Sequence, residues 1–238
     1  MSRETMTLAQ AAEHIHVDPN ELKHAAQRGE IEACERGGTW VFEHRILDEW
    51  AQRMLLSASG RDLKAQHRAI TDERRRLDGG EWSVAGLFGE ETIDLGVQAK
   101  AKAGIVRDMT DLAERGGRVY DPEGLFKALM DREAVASTAI GEGVALLHPR
   151  FHDQYMFEDG FVAYGRSVRP VFFGAGNGEG TRHFFLICST DHREHLHILA
   201  RLAMLAHGTD LVARLDAAES AADVLAAIRD CESEFSAP

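Results

Sequence analysis

A polar, charged segment divides this sequence into two parts that follow different patterns. Residues 58–81 (ASGRDLKAQHRAITDERRRLDGGE) contain few large apolar side chains, and glycines lie near both ends. This composition is typical of a linker. Because 238 residues suffice for two domains of ordinary size, we predict an amino-terminal domain over residues 1–57 and a larger one over residues 82–238. The run Arg74–Arg76 is typical of a solvated helix face and is assigned no site.

Charge and composition exclude several classes of protein. The 27 basic and 39 acidic residues give a formal net charge of −12, which excludes a protein whose whole surface follows a phosphate backbone. With 44% apolar residues and 5 prolines, the composition is that of a globular protein. No apolar run approaches the roughly 18 residues of a membrane span, and the first residues lack the pattern of a signal peptide. We therefore expect a cytoplasmic protein without membrane contact.

The three cysteines, Cys34, Cys188 and Cys231, are odd in number and lie far apart in the sequence. This spacing predicts neither a disulfide framework nor a CxxC metal site. We expect buried or unreactive thiols.

Two helices are predicted near the amino terminus from their capping residues. Thr7 and Gln10 form the pattern of a capping box ahead of an apolar stripe. Asp18 is placed to cap a second helix, which has Pro19 at its first position and ends at Gly29.

A hairpin and a third helix complete the predicted amino-terminal domain. Two short strand-like segments, residues 31–34 and 40–42, flank a turn at Gly37-Gly38. Residues 44–55 then repeat apolar side chains at helical spacing. The order is helix, turn, helix, wing and helix.

Three short motifs of this domain, T-L-A-Q-A-A, R-G-E-I and G-G-T-W-V-F, resemble the excisionase or MerR-like winged helix-turn-helix family. In that family the second helix enters the DNA major groove and the wing touches the backbone. The resemblance implies candidate DNA contacts at Lys23, Gln27 and Arg28 on the second helix and at Arg36 on the wing.

The charge of this domain leaves two uses of the fold open. Residues 1–58 carry six basic and ten acidic side chains, a net charge of −4, whereas DNA-binding modules are usually basic. One use is duplex binding by a dimer through locally placed basic residues, and the other is protein docking or dimerisation. Four histidines of the domain follow no spacing and are expected to be surface or packing residues: His14, His16, His24 and His44.

From Trp82 onward the pattern is that of a mixed α/β domain, a sheet flanked by helices. Helices are predicted over residues 97–115, 121–132, 192–207 and 220–229. Strands are predicted over residues 161–166, 168–173 and 183–188.

One stretch of this domain combines small residues, glycines and a histidine. After a helix predicted to end near Arg132, the sequence S-T-A-I-G-E-G-V-A-L-L-H leads through Gly141 and Gly143 to His148. Glycines permit tight backbone geometry and the close approach of a ligand. A second histidine segment, H-L-H-I-L-A-R-L, begins at His195 at the start of an apolar helix.

These motifs resemble the phosphotransferase-system enzyme IIA domains of the fructose, mannitol and nitrogen-regulatory class. The first is similar to the family's phosphorylation-site motif, and F-F-L-I-C followed by H-L-H-I-L-A-R-L is similar to its second-histidine region. The resemblance covers residues 83–228. It implies an α/β fold with a mixed sheet flanked by helices, with His148 as the phospho-accepting histidine, His195 as the second active-site histidine and Arg132 as the arginine beside them.

The chemistry of these side chains suits phosphoryl transfer. An imidazole with a pKa near 6.5 is partly neutral at pH 7, so a ring nitrogen can attack phosphorus. Donors from Arg132, His195 and the amides of Gly141 and Gly143 would stabilise the transferred group. No metal or cofactor is expected, because the phosphoryl group comes from an HPr-type phosphocarrier protein. We expect His148 to present a free ring nitrogen in a pocket.

Each of these residues can instead have a purely structural role, and these alternatives stay open. His148 can be a buried structural histidine, His195 a helix-start side chain and Arg132 a surface ion-pair partner. A metal reading applies to one cluster: Asp191, His192, His195 and His197. It lacks an H-E-x-x-H signature, so no metal site is predicted.

The combination predicts a cytoplasmic regulator of the nitrogen type, in which phosphorylation of His148 alters DNA or protein binding by residues 1–57. One alternative is an enzyme IIA phosphocarrier in sugar uptake. Another is a module that binds DNA or protein without being phosphorylated. The operator, the controlled process and the oligomeric state stay open.

Overall fold

The computed structural model describes residues 5–15, 17–57, 83–149, 156–157 and 159–236. The chain divides into two compact units, Met1–Gly79 and Gly80–Pro238, called here the amino-terminal unit and the carboxy-terminal unit. The predicted linker, with Arg74–Arg76, lies outside the described residues.

The amino-terminal unit combines a small sheet with helices. Its elements are β1 (Thr5–Thr7), α1 (Leu8–His14), α2 (Pro19–Gln27), β2 (Ala33–Arg36), β3 (Thr39–Glu43) and α3 (His44–Ser57). The strands pair antiparallel in the order β1-β3-β2. The sequence did not predict β1, because three residues are too few to show an alternating pattern.

The caps that the sequence predicts set the helix starts in this unit. Thr7 and Gln10 form a reciprocal capping box at α1, and the Asp18 carboxylate accepts hydrogen bonds from the amides of Asn20 and Glu21 at α2. These contacts satisfy amide donors that a helix leaves unpaired in its first turn. Apolar side chains of the three helices and of β3 form the core of this unit, among them Leu22, Phe42 and Leu47.

The carboxy-terminal unit begins with two short 3-10 helices, Val84–Leu87 and Glu90–Thr92. Its strands are β4 (Ile93–Val97), β5 (Ala139–Gly141), β6 (Val144–Leu147), β7 (Phe161–Val171) and β8 (Thr181–Cys188). Its helices are α4 (Lys102–Arg115), α5 (Pro122–Val135), α6 (His192–Gly208), α7 (Leu211–Ala217) and α8 (Ala221–Ser236).

The five strands form one mixed sheet in the order β4-β7-β8-β6-β5. Strand β4 runs parallel to β7, and β6 runs parallel to β8, whereas β7 with β8 and β5 with β6 are antiparallel pairs. The predicted α/β fold with a mixed sheet flanked by helices is therefore confirmed.

Both faces of the sheet are buried, as the near-continuous apolar sequence of β8 requires. Phe184 and Leu186 join the core beneath α4 and α5. Phe185 and Ile187 alternate with them along the strand and are also fully buried, and α6 contacts β8. Because successive side chains of a strand point to opposite faces, one strand supplies both cores.

Several element boundaries differ from the sequence predictions. Val97 matches the helical spacing of the residues after it but belongs to β4, where it pairs with Ser167 of β7. The strands predicted over 161–166 and 168–173 form one strand, β7, and β4 and α7 were not predicted. Pairing with a distant strand overrides local periodicity in such cases. Among the described residues, no helix combines the length and apolar character that crossing a membrane requires.

Candidate active site

Three elements bring Arg132, His148 and His195 together at one edge of the sheet. Arg132 lies in the last turn of α5, His148 follows β6, and His195 lies in the first turns of α6. Strands β6 and β8 are parallel neighbours, so the residue after β6 and the helix after β8 start from the same edge. The rings of His148 and His195 have centroids 5.1 Å apart.

Two hydrogen bonds of different kinds orient the His148 ring. Nδ1 lies 2.7 Å from the carbonyl oxygen of Leu146, and Nε of Arg132 donates to Nε2 over 3.0 Å. A carbonyl oxygen can only accept, so Nδ1 carries the proton, and a guanidinium can only donate, so Nε2 carries the lone pair. Both neighbours therefore select the same tautomer, with Nε2 as the nucleophilic nitrogen.

The exposure of the site corrects the expectation of a free nitrogen in an open pocket. His148 and His195 are 0% exposed and Arg132 is 4% exposed. The Nε2 lone pair faces the guanidinium of Arg132 rather than solvent. A phosphoryl group can reach Nε2 only if groups around the ring move.

Arg132 is itself held in place by the end of its helix. Besides its bond to His148, its Nη1 donates to the carbonyl oxygen of Ala136 over 2.8 Å. The carbonyl belongs to the C-cap residue of α5, so the guanidinium satisfies an acceptor that the helix end leaves unpaired. In this structure the guanidinium thus bridges the end of α5 and the His148 ring.

A buried carboxylate next to Arg132 supports the site, and the sequence analysis did not single it out. Glu133 accepts hydrogen bonds from the Thr138 amide over 2.9 Å and from the Thr138 hydroxyl. Its other oxygen lies 2.8 Å from Nζ of Lys102. Thr138 in turn accepts from the Leu146 amide over 3.0 Å, so the network joins α5 to β6. No spacing signal links Lys102 to Glu133, which is why only the fold shows the pair.

The two glycines predicted to contact phosphate lie at the wrong end of β6 for that role. Gly141 and Gly143 have φ angles of +92° and +71° and form the turn of the β5–β6 hairpin. His148 follows the other end of β6, about 16 Å away along an extended strand at roughly 3.3 Å per residue. Their amides are therefore too far from the ring, and the positive φ angles explain the glycines by turn geometry.

The structure does not support the hypothesis that the segment around His195 and His197 binds a metal ion. His195 and His197 are buried in α6, and the side chain of His192 is outside the described structure. Among the described residues, the group with donor atoms close enough for a metal consists of His14, His44 and Asp48 in the amino-terminal unit.

The cysteines are free thiols, exposed at Cys34 and buried at Cys188 and Cys231. Burial raises the pKa of Cys188 far above its usual range, so this thiol is inert at neutral pH.

The candidate DNA contacts are exposed. Lys23, Gln27 and Arg28 lie at the surface on or just after α2, and Arg36 lies on β2. Arg28 is engaged by Glu30, through contacts of 2.5 Å and 2.9 Å. That pairing lowers the charge that Arg28 offers to a phosphate backbone.

Comparison with protein families matches residues 86–231 to the family described as phosphoenolpyruvate-dependent sugar phosphotransferase system, EIIA 2. The match covers more than half of the chain and contains all three residues of the candidate site.

Individual relatives come from more than one branch of that system. The chain is 28% identical over 139 residues to a fructose-specific EIIABC component of Bacillus subtilis, covering 58% of this chain and 21% of that protein. It is 30% identical over 143 residues to a fructose-specific EIIA component of Haloferax volcanii, covering 58% and 91%. Among solved structures, the nitrogen regulatory protein IIA-Ntr of Neisseria meningitidis matches with a TM-score of 0.55 and 25% identity, covering 61% and 98%.

Proposed function

The chain belongs to the EIIA 2 family of the phosphoenolpyruvate-dependent sugar phosphotransferase system, and we propose that it accepts a phosphoryl group on Nε2 of His148 from an HPr-type phosphocarrier protein. The observation that carries this proposal is the hydrogen bonding of the ring. Leu146 holds the proton on Nδ1, and Arg132 points a positive charge at Nε2. The nucleophilic nitrogen and the charge that would stabilise phosphate thus meet at one place.

The transfer is an in-line displacement at phosphorus. The Nε2 lone pair forms the new N–P bond as the N–P bond to the carrier's histidine breaks, and that bond's electron pair returns to the carrier's ring. The proton stays on Nδ1 throughout, where it is donated to the Leu146 carbonyl oxygen. The guanidinium of Arg132 moves from Nε2 to the phosphoryl oxygens, where a charged donor is worth more than at a neutral nitrogen. His195, with its ring 5.1 Å from that of His148, supplies a second donor.

The burial of His148 makes opening part of the mechanism. A ring with no exposed surface cannot meet a carrier's phosphohistidine by rigid docking. We propose that docking of the carrier displaces side chains around the ring and separates Arg132 from Nε2 before attack.

Regulation of the nitrogen type is the finer proposal. Support comes from the amino-terminal unit, in which two helices, a hairpin and a third helix follow the short strand β1, an order that resembles the excisionase or MerR-like winged helix-turn-helix family. In this proposal the phosphorylation state of His148 alters binding of DNA, or of a protein, by that unit. The fructose-specific relatives favour the alternative, an EIIA phosphocarrier that passes the group to an EIIB component.

A phosphotransfer assay tests the central proposal. The purified chain is incubated with enzyme I, an HPr-type carrier and labelled phosphoenolpyruvate, and the label is tested for acid lability and base stability. We expect label on the wild type and on His207→Ala, which removes an exposed histidine at the end of α6, and no label on His148→Ala. Equal labelling of His148→Ala and the wild type would make the assignment wrong.

Two further measurements separate the finer functions. Onward transfer of the label to a cysteine of an EIIB component favours the sugar-uptake carrier. A salt-sensitive shift of duplex DNA that changes on phosphorylation favours the regulator, because backbone contacts weaken steeply with salt. The variant Lys23→Glu would reduce the shift, and Arg28→Glu would reduce it less, since Glu30 already engages Arg28.

A further inference from the structure

We propose that His14, His44 and Asp48 form a binding site for a divalent transition-metal ion such as Zn²⁺ in the amino-terminal unit. The three residues belong to one unit of the chain and play no part in the phosphotransfer proposal. Either proposal can therefore fail without affecting the other.

The geometry places one carboxylate between two imidazoles. Nε2 of His14 lies 3.0 Å from Oδ1 of Asp48, and Nδ1 of His44 lies 3.1 Å from Oδ2. One donor atom from each residue can be chosen so that all three lie within 4.8 Å of one another. In a tetrahedral zinc site with bonds of 2.0–2.1 Å, donor atoms lie about 3.3 Å apart. Each imidazole nitrogen thus lies within about 0.3 Å of that separation from one oxygen of the carboxylate.

Two helices hold these side chains in place. His44 and Asp48 lie one turn apart on the same face of α3, and His14 is the last residue of α1. Both helices are anchored in the core by neighbouring residues, Leu47 on α3 and Ala11 on α1, each with no exposed surface. Ligands on rigid helices lose little freedom when an ion binds.

The burial of the cluster suits an ion that enters from solvent. The side chains of Asp48 and His14 are 10% and 13% exposed, and that of His44 is 30% exposed. The carboxylate is thus largely shielded from water, while one imidazole lies at the surface.

The donor set determines the class of ion. Two imidazole nitrogens and one carboxylate oxygen suit Zn²⁺, Co²⁺, Ni²⁺ or Cu²⁺, whereas Mg²⁺ and Ca²⁺ prefer oxygen-only shells.

Titration of the metal-free full-length chain with Co²⁺ tests the site, since tetrahedral Co²⁺ absorbs visibly when bound to such ligands. We expect one equivalent to bind and Zn²⁺ to displace it. His44→Gln and Asp48→Asn should each weaken binding at least about tenfold. Loss of a residue that only hydrogen-bonds to a ligand already costs about 10- to 100-fold in affinity, and loss of a ligand itself costs more. His24→Gln, an exposed histidine of α2, and His148→Ala should bind as the wild type does.

A chemical footprint of the wild-type protein tests the site without any variant, and so does not depend on whether a variant folds. Diethyl pyrocarbonate modifies histidines, and mass spectrometry locates the adducts. Saturating Zn²⁺ should slow modification of His14 and His44 several-fold and leave His24 unchanged. The proposal is overturned if the wild type binds neither ion, if folded His44→Gln keeps wild-type affinity, or if Zn²⁺ protects neither His14 nor His44.

Discussion

The ring of His148 has a donor on one side and an acceptor on the other, and this asymmetry makes its two nitrogens chemically different. The Leu146 carbonyl holds the proton on Nδ1, so the ring need not change tautomer for the attack that we propose for Nε2. Arg132 occupies Nε2 in this structure, which both orients the ring and blocks it. We therefore expect the same guanidinium to block Nε2 before the carrier docks and to stabilise the phosphoryl group after transfer.

Substitution of Arg132 should slow phosphorylation of His148 without preventing folding. Arg132→Gln removes the charge, and the initial rate of labelling should fall by roughly 100- to 1000-fold, the usual cost of one stabilising donor. Arg132→Lys keeps the charge but loses the fork that reaches His148 and Ala136 together, so its rate should be intermediate. Single-turnover transfer from the phosphorylated carrier measures these rates. As a control, Arg229→Gln changes an exposed arginine of α8 and should accept the phosphoryl group at the wild-type rate. If Arg132→Gln also reacts at the wild-type rate, Arg132 has no role in the transfer.

Another buried histidine, His183, should make the stability of the protein depend on pH. Burial lowers the pKa of His183 to about 4, against an opposing effect of Asp216 and with smaller lowering effects of Arg182 and Arg166. Its Nδ1 lies 2.8 Å from the Tyr164 hydroxyl. The unfolded chain, with an ordinary histidine pKa near 6.5, binds this proton more readily than the folded chain. Stability is therefore highest above pH 6.5 and falls as the pH drops toward 4.

A shift of this size corresponds to about 3 kcal/mol over the full window. His183→Gln cannot titrate, so its free energy of unfolding should change less between pH 7 and pH 5 than that of the wild type, as measured by urea denaturation. His207→Gln, which changes an exposed histidine, should keep the wild-type slope. Parallel slopes for His183→Gln and the wild type would show that His183 does not titrate differently on folding.

At the scale of elements, α8 fastens the start of the carboxy-terminal unit through one buried carboxylate. Glu232 accepts hydrogen bonds from the Ser83 hydroxyl over 2.6 Å and from the amides of Val84 and Ala85 over 2.8 and 3.3 Å. Its Oε1 also lies 3.4 Å from Nε of Arg201. A residue of the last helix thus satisfies the amide donors of the first 3-10 helix, 147 to 149 positions away in the sequence.

Glu232→Ala should destabilise the carboxy-terminal unit by about 3 kcal/mol, because it leaves amides and a buried guanidinium without this partner. Urea denaturation followed by circular dichroism measures the loss. Glu234→Ala is the matched control: this carboxylate is two positions further on, and it pairs at the surface with Arg214. Surface pairs contribute about 0–1 kcal/mol. Similar losses for the two variants would show that Glu232 has no special role.

For the whole molecule, the two units are built from separate stretches of chain. The described core of the carboxy-terminal unit draws its apolar residues from positions after 83, and the candidate site lies at positions 132, 148 and 195. The amino-terminal unit has its own core, which includes Leu22, Phe42 and Leu47. The proposed phosphoryl acceptance and the proposed DNA or protein binding therefore belong to different units.

A fragment of residues 80–238 should fold alone and accept a phosphoryl group at the rate of the full chain, within about a factor of two, because an independent core supports an independent domain. Single-turnover transfer from the phosphorylated carrier compares the fragment with the full chain. The fragment carrying His148→Ala should stay unlabelled. A folded fragment that accepts phosphate far more slowly would show that residues 1–79 contribute to the site.

Features that depend on near neighbours in the chain could be predicted from the amino-acid sequence alone. Thr7, Asp18 and Pro19 predicted the helix starts, and the motifs around His148 and His195 predicted the family, because capping and motif spacing are local properties. The tertiary structure decided the rest. It buried the His148 ring, placed Gly141 and Gly143 at the far end of β6, and joined Lys102 to Glu133. It also brought His14 close to His44 and Asp48, which lie 30 and 34 positions later in the sequence. These outcomes depend on how strands pair and helices pack across long separations, and no local period in the sequence records those contacts.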